Sequence, residues 1–324
     1  MNIAILDDYQ QVVQHLPCFN LLKGHKVQIF SDTPDTREQL IARLQNQEAL
    51  VLIRERTLID RALLEQLPNL RLISQTGRIS GHIDVEACTE LGVAIAEGQG
   101  SPVAPAELCW ALVMAASRHI VPYAMHLQAG MWQNNGTLGL GRSVQGLTFG
   151  IWGYGKIGQR VARYAQAFGM QVVIWGSEQS RNQAVQDGFT AAPSRSAFFE
   201  QSDILSLHLR LNEATRGLIT QEDLLLMKKD ALLVNVSRAE LIAPGALIAS
   251  LDQGHPGFAA LDVFESEPAN LDNDPLLNRH NVLCTPHIGY VEHNSYELYF
   301  RTAFENLLSF TQGQPQNIAN PLAL

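Results

Sequence analysis

Short apolar runs alternate with amphipathic stretches along most of the chain. In the first third, the apolar runs predict strands at residues 2–6, 26–30, 49–53, 70–75 and 93–96. Helices are predicted between them near residues 12–22, 36–44, 60–65 and 84–91. Short buried strands that alternate with helices are typical of a parallel sheet with both faces covered.

The same alternation resumes after a long apolar helix and a polar loop. The helix is predicted over 106–118, with Pro102 and Pro105 at its start, and the loop covers 133–146. The following strands are predicted at residues 147–152, 171–175, 204–209, 231–235, 257–262 and 282–284. An amphipathic helix at 295–311 follows. A length of 324 residues fits two doubly wound α/β domains.

Composition narrows the function classes. The formal charge is −9 and no stretch is rich in Lys and Arg, which argues against a nucleic-acid partner. The four cysteines form no C-x-x-C pair, so reduced thiols are expected rather than disulfides or a zinc site. The first apolar run ends at Asp7 and Asp8, unlike a signal peptide, and no run reaches membrane-span length. A cytoplasmic protein without membrane contact is expected.

A glycine motif follows the first strand of the second series. Residues 153–158 read GYGKIG, and apolar positions with helical spacing continue from Ile157 to Phe168. Gly153 permits the tight turn, Gly155 lets the main chain approach a pyrophosphate, and Gly158 allows close helix–strand packing. The helix start offers N–H groups to the anion. This context predicts a dinucleotide site formed by Gly153, Tyr154, Gly155, Lys156, Ile157 and Gly158.

Four motifs in order resemble one known family. They are GYGKIG at 153–158, NVSR at 235–238, DVFESEP at 262–268 and TPHIG at 285–289. Together they resemble the D-isomer-specific 2-hydroxyacid dehydrogenases over essentially the whole chain. The resemblance implies a Rossmann-type cofactor domain inserted into a flavodoxin-like substrate domain. The substrate domain is then expected at 1–98 and 290–324, and the cofactor domain at 99–289.

Reduction of a 2-oxo acid needs a carboxylate anchor, a hydride donor and a proton donor. Arg238 follows a predicted buried strand, and its guanidinium suits a carboxylate. Histidine exchanges protons near neutral pH, and His287 follows the last predicted strand. The resemblance selects these two residues over a surface arginine and nine other histidines. It also selects Glu267, within Glu-x-Glu-Pro, as the carboxylate that pairs with His287.

The resemblance further implies a substrate loop after the fourth strand. There the main-chain N–H groups of Gly77, Arg78 and Ile79 are expected to bind the substrate carboxylate. The family usually has a glycine where this chain has Ile79. Arg54 and Arg56 match a phosphate-binding pattern of phosphoglycerate dehydrogenases, but Glu55 replaces its serine, and a solvated charge cluster is an equal alternative.

Cofactor choice depends on the end of the strand at 171–175. An acid that binds the NAD ribose usually stands there, and Gly176 replaces it. Ser177 and Arg181 can bind a 2′-phosphate, whereas Glu178 would repel it. NADP is favoured over NAD, with use of both left open. The resemblance adds five further cofactor contacts: His208, Val236, Ser237, Asp262 and Gly289.

The sequence therefore favours an NAD(P)-dependent oxidoreductase of a small 2-oxo acid such as glyoxylate, hydroxypyruvate or a phosphoglycerate-like acid. A corepressor-like nucleotide-sensing scaffold on the same fold is the alternative. A formate dehydrogenase is disfavoured because that family pairs its histidine with glutamine. A homodimer around the helix at 106–118 is expected. No metal is expected, since His280, His287 and His293 lack a zinc-site spacing.

Overall fold

The computed structural model describes residues 1–324, which divide into two compact units. Unit 1 comprises Met1–Ser101 and Val291–Leu324, and unit 2 comprises Pro102–Tyr290. These divisions lie a few residues from the boundaries expected at 98/99 and 289/290. Each unit contains its own parallel sheet.

The strands and helices have the following bounds. The strands are β1 Asn2–Ile5, β2 Lys26–Ile29, β3 Ala49–Leu52, β4 Leu72–Gln75, β5 Ala94–Ala96, β6 Thr148–Trp152, β7 Gln171–Trp175, β8 Thr190–Ala191, β9 Ile204–Leu207, β10 Leu232–Asn235, β11 Phe258–Leu261 and β12 Val282–Cys284. The helices are α1 Arg37–Leu44, α2 Arg61–Leu64, α3 Val85–Glu90, α4 Val103–Ser117, α5 Ile120–Gln128, α6 Lys156–Ala167, α7 Glu178–Gln186, α8 Arg195–Gln201, α9 Gln221–Leu225, α10 Ala246–Asp252 and α11 His293–Thr311.

Unit 1 has five parallel strands in the order β2-β1-β3-β4-β5, which is the flavodoxin-like order. The strands β3 and β4 are fully buried, as expected for a sheet covered on both faces. Side chains of Thr36, Asp60 and Asp84 accept main-chain N–H groups at the starts of α1, α2 and α3. These caps account for three of the predicted helix starts.

The helix predicted at 12–22 is wrong in type. Two 3-10 helices, Val13–His15 and Pro17–Leu22, occupy this stretch. Pro17 lacks the N–H group that would continue an α-helix across the junction. The Asp8 carboxylate also accepts the N–H groups of Val12 and Val13 at 3.4 and 3.1 Å.

Unit 2 has seven parallel strands in the order β12-β11-β10-β9-β6-β7-β8. This is the Rossmann order, extended by one strand, so the predicted fold class of two doubly wound sheets is confirmed. The chain reverses its direction of winding between β6 and β9. In such sheets, ligands bind outside the carboxyl ends of the strands at this switch point. Ligand-binding residues are therefore expected directly after β6, β9, β10 and β12.

The apolar faces of α4 and α6 are buried against the sheet of unit 2, in a core that includes Cys109, Val113 and Val161. The predicted helix at 106–118 is thus longer than expected, and its apolar side is covered within the unit. The following helix, α5, was not predicted because Pro122 interrupts its pattern, and it buries no residue. No single helix has the length and hydropathy of a membrane span. Only α4 and α5 taken together, with a bend of 66° between them, pass that test.

Candidate active site

The glycine loop joins β6 to α6 in the way the sequence predicts. Gly153 has φ +103°, and a Cβ there would lie 2.6 Å from the carbonyl oxygen of His208. A Cβ on Gly158 would lie 2.1 Å from the carbonyl oxygen of Gly153. Both positions therefore require glycine for packing. At Gly155 a Cβ would meet no atom within 4 Å, so this glycine borders open space.

The start of α6 has the features of an anion site. No side chain caps the helix, and the N–H groups of Lys156 and Ile157 donate to no protein acceptor. Unpaired N–H groups at a helix start attract phosphate. The Tyr154 side chain is buried and donates to Asp187 Oδ2 at 2.8 Å, so only its main chain remains for a cofactor. The Ile157 side chain likewise packs against the core. The empty space at Gly155 and the free N–H groups fit a dinucleotide pyrophosphate.

The end of β7 lies beside this loop, because the N–H of Gly153 donates to the carbonyl of Trp175 at 2.9 Å. Gly176 follows with φ +156° and carries no acid. Ser177 caps α7 by accepting the N–H of Ser180 at 3.2 Å. The Arg181 guanidinium lies 4.7 Å from the centre of the Trp175 ring, a cation–π distance.

His208 follows β9 at the centre of the sheet. Its Nε2 lies 2.9 Å from Ser206 Oγ, which in turn lies 3.2 Å from Cys109 Sγ. Burial lowers the pKa of His208 to about 4, so the ring is neutral at physiological pH. Its Nδ1 is buried and has no hydrogen-bond partner. The sequence selected this residue as a cofactor contact, but the neutral buried cluster with Cys109 and Ser206 was not anticipated.

The segment after β10 orients Arg238. The Asn235 side chain accepts the N–H of Ser237 at 3.0 Å and donates to the carbonyl of Arg238 at 2.8 Å. Ser237 Oγ donates to the carbonyl of Leu207 at 2.9 Å, which ties this turn to the end of β9. Val236 packs against the core of unit 2. The side chains of Val236 and Ser237 thus shape the turn, and the half-buried Arg238 leaves it at the carboxyl end of the sheet.

His287 and Glu267 form a direct pair. The His287 Nδ1–H donates to Glu267 Oε2 at 2.7 Å, and Glu267 Oε1 accepts the N–H of Phe264 at 3.0 Å. Burial acts to raise the pKa of Glu267. The hydrogen bond and charge of His287, together with the Phe264 N–H and the charge of Arg238, outweigh it and hold that pKa below its ordinary value. Glu267 is therefore ionised, as a partner of imidazolium must be.

Asp262 braces the histidine segment. Its Oδ1 accepts Thr285 Oγ1–H at 2.6 Å and the N–H of Ile288 at 2.8 Å, while Oδ2 accepts the N–H of Gly289 at 2.8 Å. The predicted cofactor contacts Asp262 and Gly289 thus bind each other through these groups. These hydrogen bonds hold the chain on both sides of His287, which has a φ of +51°. Left-handed backbone at a residue other than glycine is uncommon and concentrates at functional sites.

The predicted substrate loop lies in unit 1, after β4. The N–H groups of Gly77 and Arg78 donate to no protein acceptor. The N–H of Ile79, by contrast, donates to Glu97 Oε1 at 3.0 Å, so this N–H group, which the resemblance assigns to the substrate carboxylate, already has an acceptor within the protein. The signal for this was the departure from the family glycine at residue 79, but the partner Glu97 is 18 residues away.

The nearby arginines are differently engaged. Arg56 Nη1 donates to the carbonyl of Asp7 at 2.7 Å, and its guanidinium lies 4.5 Å from the centre of the Tyr9 ring. Arg54 Nη1 lies 2.6 Å from the place of a Cβ on Gly77, and Arg54 Nε lies 3.8 Å from Glu55 Oε2. No group of three or more His, Cys, Asp or Glu side chains is arranged to hold a metal ion.

Comparison with known proteins adds independent evidence. The family model for the NAD binding domain of D-isomer specific 2-hydroxyacid dehydrogenases matches residues 110–289. Glyoxylate reductase of Aeropyrum pernix is 37% identical over 310 residues, covering 93% of this chain and 91% of that protein. Glyoxylate reductase of Thermococcus litoralis is 32% identical over 307 residues, which are 92% of this chain and 91% of that protein. The crystal structure of phosphoglycerate oxidoreductase from Vibrio cholerae o395 has a TM-score of 0.95 at 57% identity, and the match covers 97% of this chain and 99% of that chain.

Proposed function

Since the chain belongs to the D-isomer specific 2-hydroxyacid dehydrogenase family and is an NAD(P)-dependent oxidoreductase, we propose that Arg238, His287 and Glu267 perform its reaction on a small 2-oxo acid. The observation that carries these roles is the 2.7 Å hydrogen bond between His287 and Glu267. The charge of Arg238 also acts on Glu267. An anion-binding group, a proton donor and a carboxylate therefore occur together at one end of the sheet of unit 2.

The residues divide the chemistry as follows. The start of α6 and Gly155 would hold the pyrophosphate of NAD(P), which supplies or accepts the hydride when bound. The Arg238 guanidinium binds the substrate carboxylate with two parallel hydrogen bonds. Because Nδ1 of His287 is held by Glu267, Nε2 is the nitrogen that gives a proton to the ketone oxygen during reduction. In the reverse direction the same nitrogen takes the proton from the hydroxyl group.

We propose an unphosphorylated substrate such as glyoxylate or hydroxypyruvate. Of the two arginines that resemble a phosphate site, Arg56 is held by the carbonyl of Asp7 and the ring of Tyr9. Glu55 places a negative charge beside Arg54, which disfavours a second anion. The relatives that match over nine tenths of their length have enzyme names, which supports a reductase over the corepressor-like alternative.

The test is a spectrophotometric assay of NADPH and NADH oxidation with about a dozen 2-oxo acids, 3-phosphohydroxypyruvate among them. Wild-type protein should turn over glyoxylate or hydroxypyruvate, and the phosphorylated acid should be a poorer substrate. Arg238→Lys should lower kcat/KM by at least ~100-fold, a loss of about 2.7 kcal/mol of transition-state stabilisation. His287→Asn should lower kcat by a similar factor, whereas the exposed His280→Asn serves as the control. Tight cofactor binding without turnover of any acid would refute the proposal in favour of a scaffold.

We propose a preference for NADP over NAD. Gly176 carries no acid to repel a 2′-phosphate, the Arg181 guanidinium is held over Trp175, and the hydroxyl groups of Ser177 and Ser180 lie 3.1 Å apart at the start of the same helix. Gly176→Asp is an ambiguous test because φ is +156° there. Ser177→Asp is better, since Asp also caps a helix, and it replaces a hydroxyl group that can bind the 2′-phosphate by a charge that repels it. It should raise KM for NADPH at least ~10-fold and leave KM for NADH unchanged, and equal effects on both cofactors would contradict the preference.

We propose a homodimer built on α5 and the segment that follows it. Several large apolar side chains there are exposed: Ile120, Val121, Met125, Leu127, Met131, Trp132 and Leu140. Trp132 is 78% exposed and Leu140 92% exposed, which is costly for a monomer. Light scattering after size exclusion should give twice the monomer mass, and Trp132→Asp with Met125→Asp should give monomers. A monomeric wild-type protein would refute this proposal.

A cytoplasmic location is part of the same proposal. All four cysteines are free, and burial raises the pKa of Cys88, Cys109 and Cys284 to about 12. Free thiols fit a reducing compartment. Cell fractionation should recover the protein with cytoplasmic markers, and recovery with secreted or membrane fractions would contradict it.

A further inference from the structure

The residues that follow β5 support the loop that follows β4, and both lie in unit 1. The N–H of Gly98 donates to the carbonyl of Gly77 at 2.8 Å. Two residues further along the loop, the N–H of Ile79 donates to Glu97 Oε1 at 3.0 Å. The Ile79 side chain also packs against the core of this unit. The stretch from Gly77 to Ile79 is therefore fixed at both ends.

This support determines the direction of the peptide group between Gly77 and Arg78. The carbonyl oxygen of Thr76 lies 2.5 Å from where a Cβ on Gly98 would stand, and the carbonyl of Gly77 accepts the N–H of Gly98. The Gly77 carbonyl therefore points at Gly98, whereas the Thr76 carbonyl passes side-on to it, since the carbon and the oxygen of Thr76 are both 2.5 Å from that Cβ position. In a planar trans peptide the C=O and the following N–H point in opposite directions. The N–H group of Arg78 consequently points away from Gly98.

The N–H groups of Gly77 and Arg78 have no acceptor in the protein, although Gly77 is buried. Buried main-chain N–H groups are nearly always paired, and adjacent unpaired ones form a concave site for an anion. Gly98 allows the close approach, because any side chain at this position would overlap the carbonyl oxygens of Gln75 and Thr76.

Glu97 is itself held by residues distant in sequence. Its N–H donates to the carbonyl of Asn317 at 2.9 Å, and its carbonyl accepts Asn306 Nδ2–H at 3.0 Å. The Asn317 side chain donates to Asn306 Oδ1 at 2.7 Å, so the two asparagines support each other. The Glu97 carboxylate thus reaches Ile79 from a fixed main chain.

We propose that Glu97 is a positioning residue that keeps the N–H groups of Gly77 and Arg78 directed at the carboxylate of the substrate. It acts through its hydrogen bond to Ile79 and not through its charge. The inference rests on the proposed function, because it assumes a substrate with a carboxylate.

The test compares Glu97→Ala with Glu97→Gln in the full-length protein. Alanine removes the acceptor for the Ile79 N–H, so KM for the best 2-oxo acid should rise about tenfold, as expected for the loss of one hydrogen bond to a buried group. The kcat and the affinity for NAD(P)H should change less than about twofold, since the hydride-transfer and proton-transfer residues are untouched. Glutamine retains an acceptor oxygen and should restore KM to the wild-type value or below it. Glu65→Ala, at an exposed glutamate of the same unit, is the control.

A second measurement does not depend on turnover. Oxamate, a 2-oxo acid analogue, should bind the NAD(P)H complex of Glu97→Ala about tenfold more weakly than wild type, and that of Glu97→Gln as tightly, by quenching of nucleotide fluorescence. Unchanged oxamate affinity in Glu97→Ala, or equal weakening in both variants, would overturn the role of Glu97. Failure of wild-type protein to bind oxamate or reduce any 2-oxo acid would refute the proposed function instead.

Discussion

Replacing Glu267 by glutamine isolates the charge of the residue that holds His287. In the wild-type protein, His287 Nδ1 lies 2.7 Å from Glu267 Oε2. Glutamine keeps the side-chain length and an acceptor oxygen for the His287 Nδ1–H. The variant loses the negative charge that favours imidazolium, and its NH2 group takes the place of the oxygen that accepts the Phe264 N–H at 3.0 Å. The structure therefore predicts a functional change without loss of the fold.

The magnitude follows from the hydrogen bond. A hydrogen bond to a charged partner contributes about 1.5–3 kcal/mol, and a neutral one about 0.5–1.5 kcal/mol. The difference of about 1–1.5 kcal/mol corresponds to about one pH unit. The side chains of His287 and Glu267 are only 19% and 29% exposed, so solvent screens this interaction incompletely.

The sign is the same in both reaction directions. Reduction needs imidazolium, so the alkaline limit of its pH–rate profile should move about one pH unit lower in Glu267→Gln. Oxidation needs neutral imidazole, so the acidic limit of its profile should also move lower. Both profiles are measured as kcat/KM by following NAD(P)H absorbance. The matched control is Glu265→Gln, because Glu265 is exposed and two residues away.

Two outcomes would refute this reasoning. If both profiles of Glu267→Gln coincide with wild type, the carboxylate does not influence the proton on His287. If Glu265→Gln shifts the profiles by the same amount, the effect comes from general surface charge. A shift in one reaction direction alone would assign the pH dependence to a group other than His287.

Three further predictions concern the cofactor domain. Gly155→Ala should leave the melting temperature within about 2 °C of wild type but weaken NAD(P)H binding at least ~10-fold. Gly158→Ala should unfold at a markedly lower temperature, because its Cβ would lie 2.1 Å from a carbonyl oxygen. Equal melting temperatures of the two variants would contradict the packing argument. Burial lowers the pKa of His208 to about 4, so between about pH 6.5 and pH 4 the unfolded chain binds a proton that the folded protein does not. The free energy of unfolding therefore decreases as the pH falls through this window, by about 2.5 kcal/mol at pH 4.5. His208→Gln should remove this part of the acid sensitivity in urea unfolding at pH 7.5 and 4.5, and an unchanged difference would show that His208 is protonated in the folded state. Asp262→Asn places an amide NH2 group among three hydrogen-bond donors and should lower kcat at least ~10-fold, with cofactor affinity retained. Full activity of this variant would show that Asp262 does not hold the segment around His287.

Most strands follow from local patterns, whereas the arrangement of the two sheets was implied by the family resemblance. Buried apolar runs and the capping residues Thr36, Asp60 and Asp84 are local features, so strand positions and three helix starts were predicted within a few residues. Proline produced the main errors. Pro17 divides one predicted helix into 3-10 turns, and Pro122 conceals α5.

The site was predictable where a motif places a residue at a strand end. Arg238 and His287 were selected in this way, and their catalytic roles stay predictions until the variants are measured. What the sequence did not reveal are contacts between distant segments. Glu97 takes the N–H of Ile79, and Asp262 holds the segment around His287, because neighbouring strand ends meet only in the folded sheet.

The most direct test of the central claim is a crystal structure of the protein with NAD(P)H and oxamate. We predict that both carboxylate oxygens of oxamate accept hydrogen bonds from Arg238. Its amide carbonyl oxygen should lie within hydrogen-bond distance of His287 Nε2. Oxamate bound away from Arg238, or with that oxygen out of reach of His287, would contradict the account.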